Sequence, residues 1–422
     1  MDRLTDQRVY IETYGCTYNH GDTLKLMDIL KGQGCTLVDD PDEADTVVIN
    51  TCTVIGWTER HMLRRIRACS GRTLYVTGCM PVVQREEILA AAPEARVILP
   101  DEIERRFSGR CTKGKDGIGI VQVAAGCVGR CAYCITRFAR GPLRSRSMEE
   151  ICREVGALAE EGACEVQFTA QDVSAWGMDI DEALPDLVRA ASAVPGNFRV
   201  RLGMMNPATV RRILVPLAEA CRDGKVFSFL HLPVQSGSDA VLAGMARGYT
   251  VAEYEGMVAT FREVCPDVRI CTDFIVGYPT ETEEDFAATF ALLRRVRPEK
   301  VNVTRYSPRP GTAAAALKAQ PERIAKERSR LLDAATKAIY AEQNAGLVGT
   351  TVEAVVTARK KGGSWVARDR AYREVVVPGD FRPGEWLSVE ITGNRTVYLT
   401  GVPKDRSTPS YTGADNQIVR KR

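Results

Sequence analysis

The chain has 422 residues, 45% hydrophobic and 26% charged, with a formal net charge of +3. That length exceeds one ordinary domain and predicts two or three. The near-neutral balance excludes a global basic field, so any polyanion must be met by local patches, and no run of about 18 apolar residues is present to form a membrane span. Met1 to Asp6 lacks the apolar region of a signal peptide, so a cytoplasmic protein is expected. From residue 7 to 110, short apolar strands alternate with helical stretches. Strands are predicted at Val9-Tyr10-Ile11, Val47-Val48-Ile49 and Leu74-Tyr75-Val76, with helices from Asp22 to Leu30 and Glu59 to Ala68 between them. This alternation predicts a doubly wound parallel sheet. Cys16, Cys52 and Cys79 each fall just past the C-terminal end of one of these strands, the edge where open α/β sheets bind ligands. Burial of a small side chain explains one such cysteine but poorly explains three in matching positions. Converging, they offer three thiolates to a metal.

Residues 113 to 343 repeat a strand–helix alternation six times. Strands are predicted near Val121 to Ala125, Val166 to Thr169, Val200 to Met204, Phe229 to Val234, Ile270 to Val276 and Val301 to Tyr306. Helices fit from Met148 to Glu161 and Val251 to Val264. A long one runs from about Pro321, placed at the first helical position, to Gln343, with Ile324, Leu331, Leu332, Ala335 and Ile339 as its apolar stripe. Six units predict an incomplete (β/α) barrel, short of the full eight. Directly after the first strand comes Gly126-Cys127-Val128-Gly129-Arg130-Cys131-Ala132-Tyr133-Cys134, a CxxxCxxC spacing. The chain has fourteen cysteines, and without a secretion signal they point to metal or redox chemistry rather than disulfides. Three thiolates so spaced grip three corners of a cubic iron–sulfur cluster and leave the fourth iron open for a small molecule, whereas electron-carrying clusters are fully ligated. A structural zinc site is the alternative. Such sites close with four ligands, and His20, His61 and His231, the only three histidines, lie far from the triplet in sequence. Strand ends of a barrel carry its sites, which singles out Gln171 and Asp172 after the second strand and Gln235 after the fourth. Arg201 on the third offers a carboxylate partner or a structural ion pair. His231 is read as a satisfied core histidine.

Residues 344 to 403 change to period-two alternation. Val352 to Val356, Trp365 to Ala367, Val375 to Val377, Leu387 to Ile391 and Val397 to Leu399 read as five short strands, with turns at Gly362-Gly363 and Gly393-Asn394. They predict a small antiparallel β-barrel of the OB type. Arg359, Lys360, Lys361, Arg368, Arg370 and Arg373 cluster there, with Trp365 and Tyr372 interleaved. Arg137, Arg140, Arg144 and Arg146 crowd the segment after the cysteine triplet. Cations fix phosphates and aromatics stack on splayed bases, so an RNA partner is expected, the alternative being a solvated basic face. Residues 404 to 422 are polar and read as a disordered tail.

The CxxxCxxC run, with an aromatic before its last cysteine, resembles that of the radical S-adenosylmethionine (SAM) enzymes. With the second triplet, the chain resembles the radical SAM methylthiotransferases over nearly its whole length. Further matching segments are Tyr10 to Cys16, Asn50-Thr51-Cys52, Gly78-Cys79-Met80, Thr169 to Gly177, His231 to Ser238, Thr272 to Gly277 and Tyr306 to Thr312. The terminal block resembles the TRAM domain that such enzymes use on RNA. The resemblance implies two [4Fe-4S] clusters. One, on Cys127, Cys131 and Cys134, cleaves SAM to a 5′-deoxyadenosyl radical; the other, on Cys16, Cys52 and Cys79, supplies sulfur that a second SAM methylates. With SAM at the barrel's strand ends, contacts from Gln171, Asp172, Arg201 and Gln235 are expected, together with an electron-donor protein, a tRNA anticodon stem-loop as partner, and a monomer. Three substrates occur in the family: isopentenyladenosine in tRNA, a ribosomal protein aspartate, and N6-threonylcarbamoyladenosine in tRNA. The Thr-x-x-Ala-Arg-Gly-x-Leu-x-Ser pattern from Thr136 to Ser145 and the run Leu202 to Pro207 resemble the threonylcarbamoyladenosine branch of archaea and eukaryotes. Gln171 departs from it, where eukaryotic members tend to have Glu. The expected reaction is methylthiolation at carbon 2 of that nucleoside at position 37. An iron–sulfur RNA-binding sensor without catalysis stays open as the reading from another class.

Overall fold

A computed structural model of the chain describes residues 4–54, 56–107, 113–114, 116–360 and 363–406. The N-terminal sheet comprises β1 (Arg8–Thr13), β2 (Thr36–Val38), β3 (Thr46–Thr51), β4 (Thr73–Gly78) and β5 (Arg96–Val97), in the order β2-β1-β3-β4-β5. Every pairing is parallel. β3 is buried along its whole length, as a central strand covered on both faces must be. Val47 and Ile49 join one core with Ile66, Val76 and Ile88, while Val48 joins another with Val9, Leu26 and Leu30. The strand order reverses between β1 and β3, which makes their C-terminal ends the switch-point crevice. The first helix is Thr17–Gly32 and starts directly after Cys16, earlier than predicted. Its polar first turns are buried: Asn50 Nδ2 donates to Asn19 O at 2.7 Å and to Thr23 Oγ1 at 2.9 Å.

The central unit opens with β6 (Ile118–Gln122), which leads into a short antiparallel ladder, β7 (Ala124–Ala125) with β8 (Arg144–Ser145), around the cysteine loop. There follow β9 (Glu165–Thr169), β10 (Arg199–Leu202), β11 (Phe229–His231), β12 (Arg269–Val276) and β13 (Lys300–Arg305). Within β10-β9-β6 and β11-β12-β13 all pairings are parallel, and bridges Val200–Val226 and Met204–His231 join the two halves into an open six-stranded barrel. β11 is shorter than predicted because Pro233 has no N–H for the ladder; beyond it, Val234 N donates to Thr272 Oγ1 at 3.1 Å. The long helix is Glu322–Ala345, with Pro321 as its cap rather than its first residue. Its buried stripe is Ala325, Arg328, Leu332, Thr336 and Ile339, and Leu331 is 42% exposed. Adjacent helical residues point about 100° apart, so Leu331 and Leu332 cannot share one face.

The terminal unit is a closed barrel of β14 (Thr351–Arg359), β15 (Trp365–Asp369), β16 (Glu374–Val377), β17 (Trp386–Asn394) and β18 (Leu399–Arg406), ordered β14-β15-β16-β18-β17. Its pairings are antiparallel except β16 with β18, which closes the barrel in parallel. The last strand runs through residues 404 to 406, past the predicted start of the tail; residues 407 to 422 lie outside the described residues. This unit seals the floor of the six-stranded barrel with Tyr372. Its ring packs 4.9 Å from Phe227 and 5.2 Å from Phe229, and its hydroxyl donates to Glu165 Oε1 at 2.7 Å. Among the described residues no helix is long and apolar enough to cross a membrane.

Candidate metal centres and the cavity between them

Cys16, Cys52 and Cys79 stand at the C-terminal ends of β1, β3 and β4, close enough that Cys16 raises the Cys52 thiol and both raise that of Cys79. Cys16 caps the Thr17–Gly32 helix, whose N-terminal partial charge favours an anionic ligand. Gly15, at φ +107°, admits no side chain: a Cβ there would lie 2.8 Å from Cys52 Cβ and 3.2 Å from Cys52 Sγ. Burial pushes the Cys79 thiol up to about 12, partly offset by Arg140, and also raises Cys52. A bound metal replaces these protons. Three sulfurs with no histidine or carboxylate make a soft donor set, which fits an iron–sulfur cluster. In iron-free protein, iodoacetamide should modify exposed Cys16 first. Cys79 should lag an ordinary thiol by roughly three orders of magnitude in thiolate fraction alone; peptide mapping of a time course measures the order, and equal rates would contradict this geometry.

The CxxxCxxC loop lies at the C-terminal edge of the six-stranded barrel. Gly129 N donates to Cys127 Sγ at 3.2 Å, and Arg247 Nη1 donates to Cys131 Sγ at 3.1 Å. A Cβ on Gly129 would lie 3.3 Å from Cys127 Sγ and 3.8 Å from Cys131 Sγ, so the sulfurs crowd one cradle. Burial pushes Cys127 up to about 11 and raises Cys134. Gln171 Oε1 accepts from Gly126 N at 2.6 Å and so fixes the start of the loop. Asp172, expected to touch SAM, is instead fully engaged: it accepts from Ser174 Oγ at 2.7 Å, Asn206 N at 3.0 Å and Thr209 Oγ1 at 2.8 Å. Asn206 Oδ1 in turn accepts from Arg247 Nη2 at 3.1 Å. Asp172 therefore acts on the cysteine loop through Asn206 and Arg247. Arg201 departs from expectation too. It stacks between Phe229 and Tyr372, 5.5 and 5.4 Å from the rings, on the barrel floor and away from the mouth.

A cavity of about 170 Å³ lies beside the CxxxCxxC loop, lined by Val54, Tyr133, Cys134, Gln235, Asp273 and Tyr306, among others. Cys134 is the cluster cysteine in its lining, and Val54, two residues past Cys52, brings the N-terminal unit to its wall. Gln235 adopts φ +77°, a left-handed conformation unusual for glutamine, and its buried Oε1 has no hydrogen-bond partner among the described residues. Each feature costs on the order of 1–3 kcal/mol, and such costs concentrate at functional sites. Below it, His231 Nε2 bonds Asp273 Oδ1 at 2.9 Å, which also accepts from Asn302 Nδ2 at 2.7 Å. Against burial, Asp273 and Cys271 raise His231 to about 9, so its charge is balanced inside the barrel.

The expected RNA contacts divide. Arg144 and Arg359 are exposed. Lys361 lies outside the described residues. Arg140 is buried against Asp22 and Cys79 and cannot meet a phosphate. In the terminal barrel, Trp365 is core, Lys360 pairs with Glu374 at 2.6 Å, and Arg373 pairs with Asp369 at 2.7 Å. Arg368 lies 4.7 Å over the Tyr372 ring, and Arg370 Nη2 donates to Arg222 O at 2.7 Å. These cations build the barrel and its seat on the central unit. The sequence missed Arg247, Asn206, Asn19 and Asp22 as site residues. Only the Gly248 and Thr250 that follow Arg247, a turn and a helix cap, hinted at a fixed loop there.

An open six-stranded parallel barrel with a CxxxCxxC loop at its mouth defines a radical SAM protein. Family models agree: Uncharacterized protein family UPF0004 matches residues 8–100, the Radical SAM superfamily residues 121–293, and the TRAM domain residues 346–404. The chain is similar to a probable threonylcarbamoyladenosine tRNA methylthiotransferase of Archaeoglobus fulgidus, 40% identical over 421 residues, covering 93% of this chain and 98% of that one. It is likewise similar to the threonylcarbamoyladenosine tRNA methylthiotransferase of Danio rerio, 32% identical, covering 95% of this chain and 79% of that one. Among solved structures, a radical SAM methyltransferase, TsrM, from Kitasatospora setae shares the fold, with a TM-score of 0.53 at 16% identity over 84% of this chain and 79% of that one. The chain belongs to the threonylcarbamoyladenosine tRNA methylthiotransferase family. Membership makes it a radical SAM transferase, with SAM and a [4Fe-4S] cluster as the cofactors that chemistry implies.

Proposed function

We propose that this chain transfers a methylthio group to carbon 2 of N6-threonylcarbamoyladenosine 37 in tRNA. The observation that carries it is a pair of separate three-cysteine sites, one at the strand ends of the N-terminal sheet and one at the mouth of the barrel, where Cys134 lines a cavity that Val54 of the N-terminal unit also walls. An aromatic C–H bond resists ordinary acid–base chemistry, so the bound clusters and SAM supply the radical and the sulfur while the protein orients and shields. Cys127, Cys131 and Cys134 hold the SAM-cleaving cluster, with Arg247 and the Gly129 N–H donating to its sulfurs. Gln171 and Asp172 fix the loop, and Gln235 presents its unpaired oxygen to SAM. Cys16, Cys52 and Cys79 hold the second [4Fe-4S] cluster. The anticodon stem-loop meets exposed Arg137, Arg144 and Arg359 around the mouth and on the terminal barrel. An electron-donor protein completes the reaction, and the chain works as a monomer in the cytoplasm. The relatives' substrate supports this reading over isopentenyladenosine and a ribosomal aspartate. A sensor would have no use for the walled cavity. Mass spectrometry of tRNA nucleosides from cells lacking this chain should show the 2-methylthio form gone and its threonylcarbamoyl precursor accumulated. An unchanged profile would overturn the assignment.

A further inference from the structure

The sequence places Arg140 among phosphate-binding arginines. The structure places it in the seam between the N-terminal sheet and the barrel, 7% exposed. Its Nε lies 3.4 Å from Cys79 Sγ. Its Nη2 donates to Asp22 Oδ2 at 2.7 Å and Asn19 Oδ1 at 2.8 Å, and its guanidinium lies 4.6 Å over the Tyr18 ring. Asp22 is further held by Gln122 Nε2 at 2.7 Å, from the end of β6. A buried ion pair of this kind is no economical way to stabilise a fold, because both ions lose their water. Replacing it with apolar side chains serves stability as well. Its place beside a cysteine sulfur points to a role in the site.

The connectivity sharpens this. Arg140 ends the short helix Thr136–Arg140, which begins two residues after Cys134. The next residue, Gly141, accepts from Cys127 N at 3.2 Å. One short peptide therefore touches the first triplet with its backbone and the second with a charged side chain. Arg247 makes the corresponding contact to Cys131 at the first site. Each triplet thus has one buried arginine donating to one of its sulfurs.

We propose that Arg140 is a positioning residue for the second cluster: clamped by Asp22 and Asn19, it gives Cys79 a charged hydrogen bond that sets that cluster's reduction potential. The inference rests on the reading that Cys16, Cys52 and Cys79 hold a cluster. Hydrogen bonds and positive charge at a cluster's sulfurs favour the more negative, reduced form and raise the potential. Asp22 tempers the charge of Arg140. The two residues therefore act with opposite signs.

The test uses the full chain carrying Cys131→Ala, which leaves only the second site able to hold a cluster. Anaerobic reconstitution and iron and sulfide analysis first establish that this cluster is present. Potentiometry followed by electron paramagnetic resonance then reads its midpoint. Arg140→Gln should move the midpoint to more negative potential, with Arg140→Lys moving it less. Asp22→Asn should move it to more positive potential. Should Arg140→Gln fail to retain iron, Arg140→Lys, which keeps the charge but lacks the Nε donor to Cys79, decides: a midpoint moved to more negative potential supports the role and an unmoved one overturns it. Iron present with unmoved midpoints, or both variants shifting the same way, overturns the role of Arg140 and leaves the cluster standing. Absence of iron in the Cys131→Ala chain removes the second cluster and the proposal together.

Discussion

Cys131→Ala should reduce 5′-deoxyadenosine formation from SAM to the level of iron-free protein, with the fold intact. A cluster that binds SAM through one open iron has three protein ligands and none to spare. Deleting Cys131 also removes the sulfur to which Arg247 Nη1 donates at 3.1 Å. The guanidinium keeps other partners: its Nη2 reaches Asn206 Oδ1 at 3.1 Å and Pro233 O at 3.2 Å, and its Nε donates to the Tyr249 hydroxyl at 2.9 Å. No buried charge is orphaned, so the stability cost should stay within the roughly 0.5–3 kcal/mol of an ordinary substitution. The control is Cys152→Ala, on the Met148–Glu160 helix outside the barrel, which should leave iron content and SAM cleavage unchanged. Anaerobic assay with dithionite, paired with thermal unfolding, separates lost chemistry from lost fold. Full cleavage by Cys131→Ala would remove the triplet's assignment.

What the sequence makes legible follows from how local each signal is. Parallel strands buried on both faces read as short apolar runs, so β3 and β4 stand out, as does β1 through Val9-Tyr10-Ile11, and with them the cysteines at their ends. The CxxxCxxC spacing is local by nature. The partners that tune these sites are not local. Arg247 reaches Cys131 across 116 residues and Arg140 reaches Cys79 across 61, and no spacing rule joins them. Arg140 misleads for a second reason. Its neighbours Arg137 and Arg144 are exposed, and charge in a sequence does not say which side of a short helix meets a domain seam. The terminal barrel shows the same limit. Alternation on β15 gives two faces but not which one another unit covers, so Arg368 and Tyr372 read as an RNA surface although they seat that barrel on Glu165, Gln167 and Arg201. Gln235 was readable only as a strand end; its left-handed backbone and unpaired oxygen appear in three dimensions alone.

Cys52→Ala should separate the two chemistries: SAM cleavage persists while the methylthio nucleoside disappears. The residue sits on the N-terminal sheet, 7% exposed, and the CxxxCxxC loop draws no hydrogen bond from it among the described contacts. Removing its sulfur leaves two thiolates where a cubic cluster needs three, so the second site should lose its iron. Cys52 is a cleaner choice than Cys79. The Cys79 sulfur accepts from Arg140 and lies 3.7 Å from Asn19 Oδ1, so its removal disturbs the Arg140–Asp22 clamp between the domains. Alanine keeps the Cys52 Cβ, over which Gly15 packs without a side chain of its own. Iron should fall from the content of two clusters to that of one. Liquid chromatography of 5′-deoxyadenosine alongside tRNA nucleoside analysis reads both outcomes from one reaction. Retained methylthio product would show that sulfur enters by a route independent of these three cysteines. Joint loss of cleavage and product would mean that the N-terminal sheet shapes the barrel's mouth rather than serving as a separate source of sulfur.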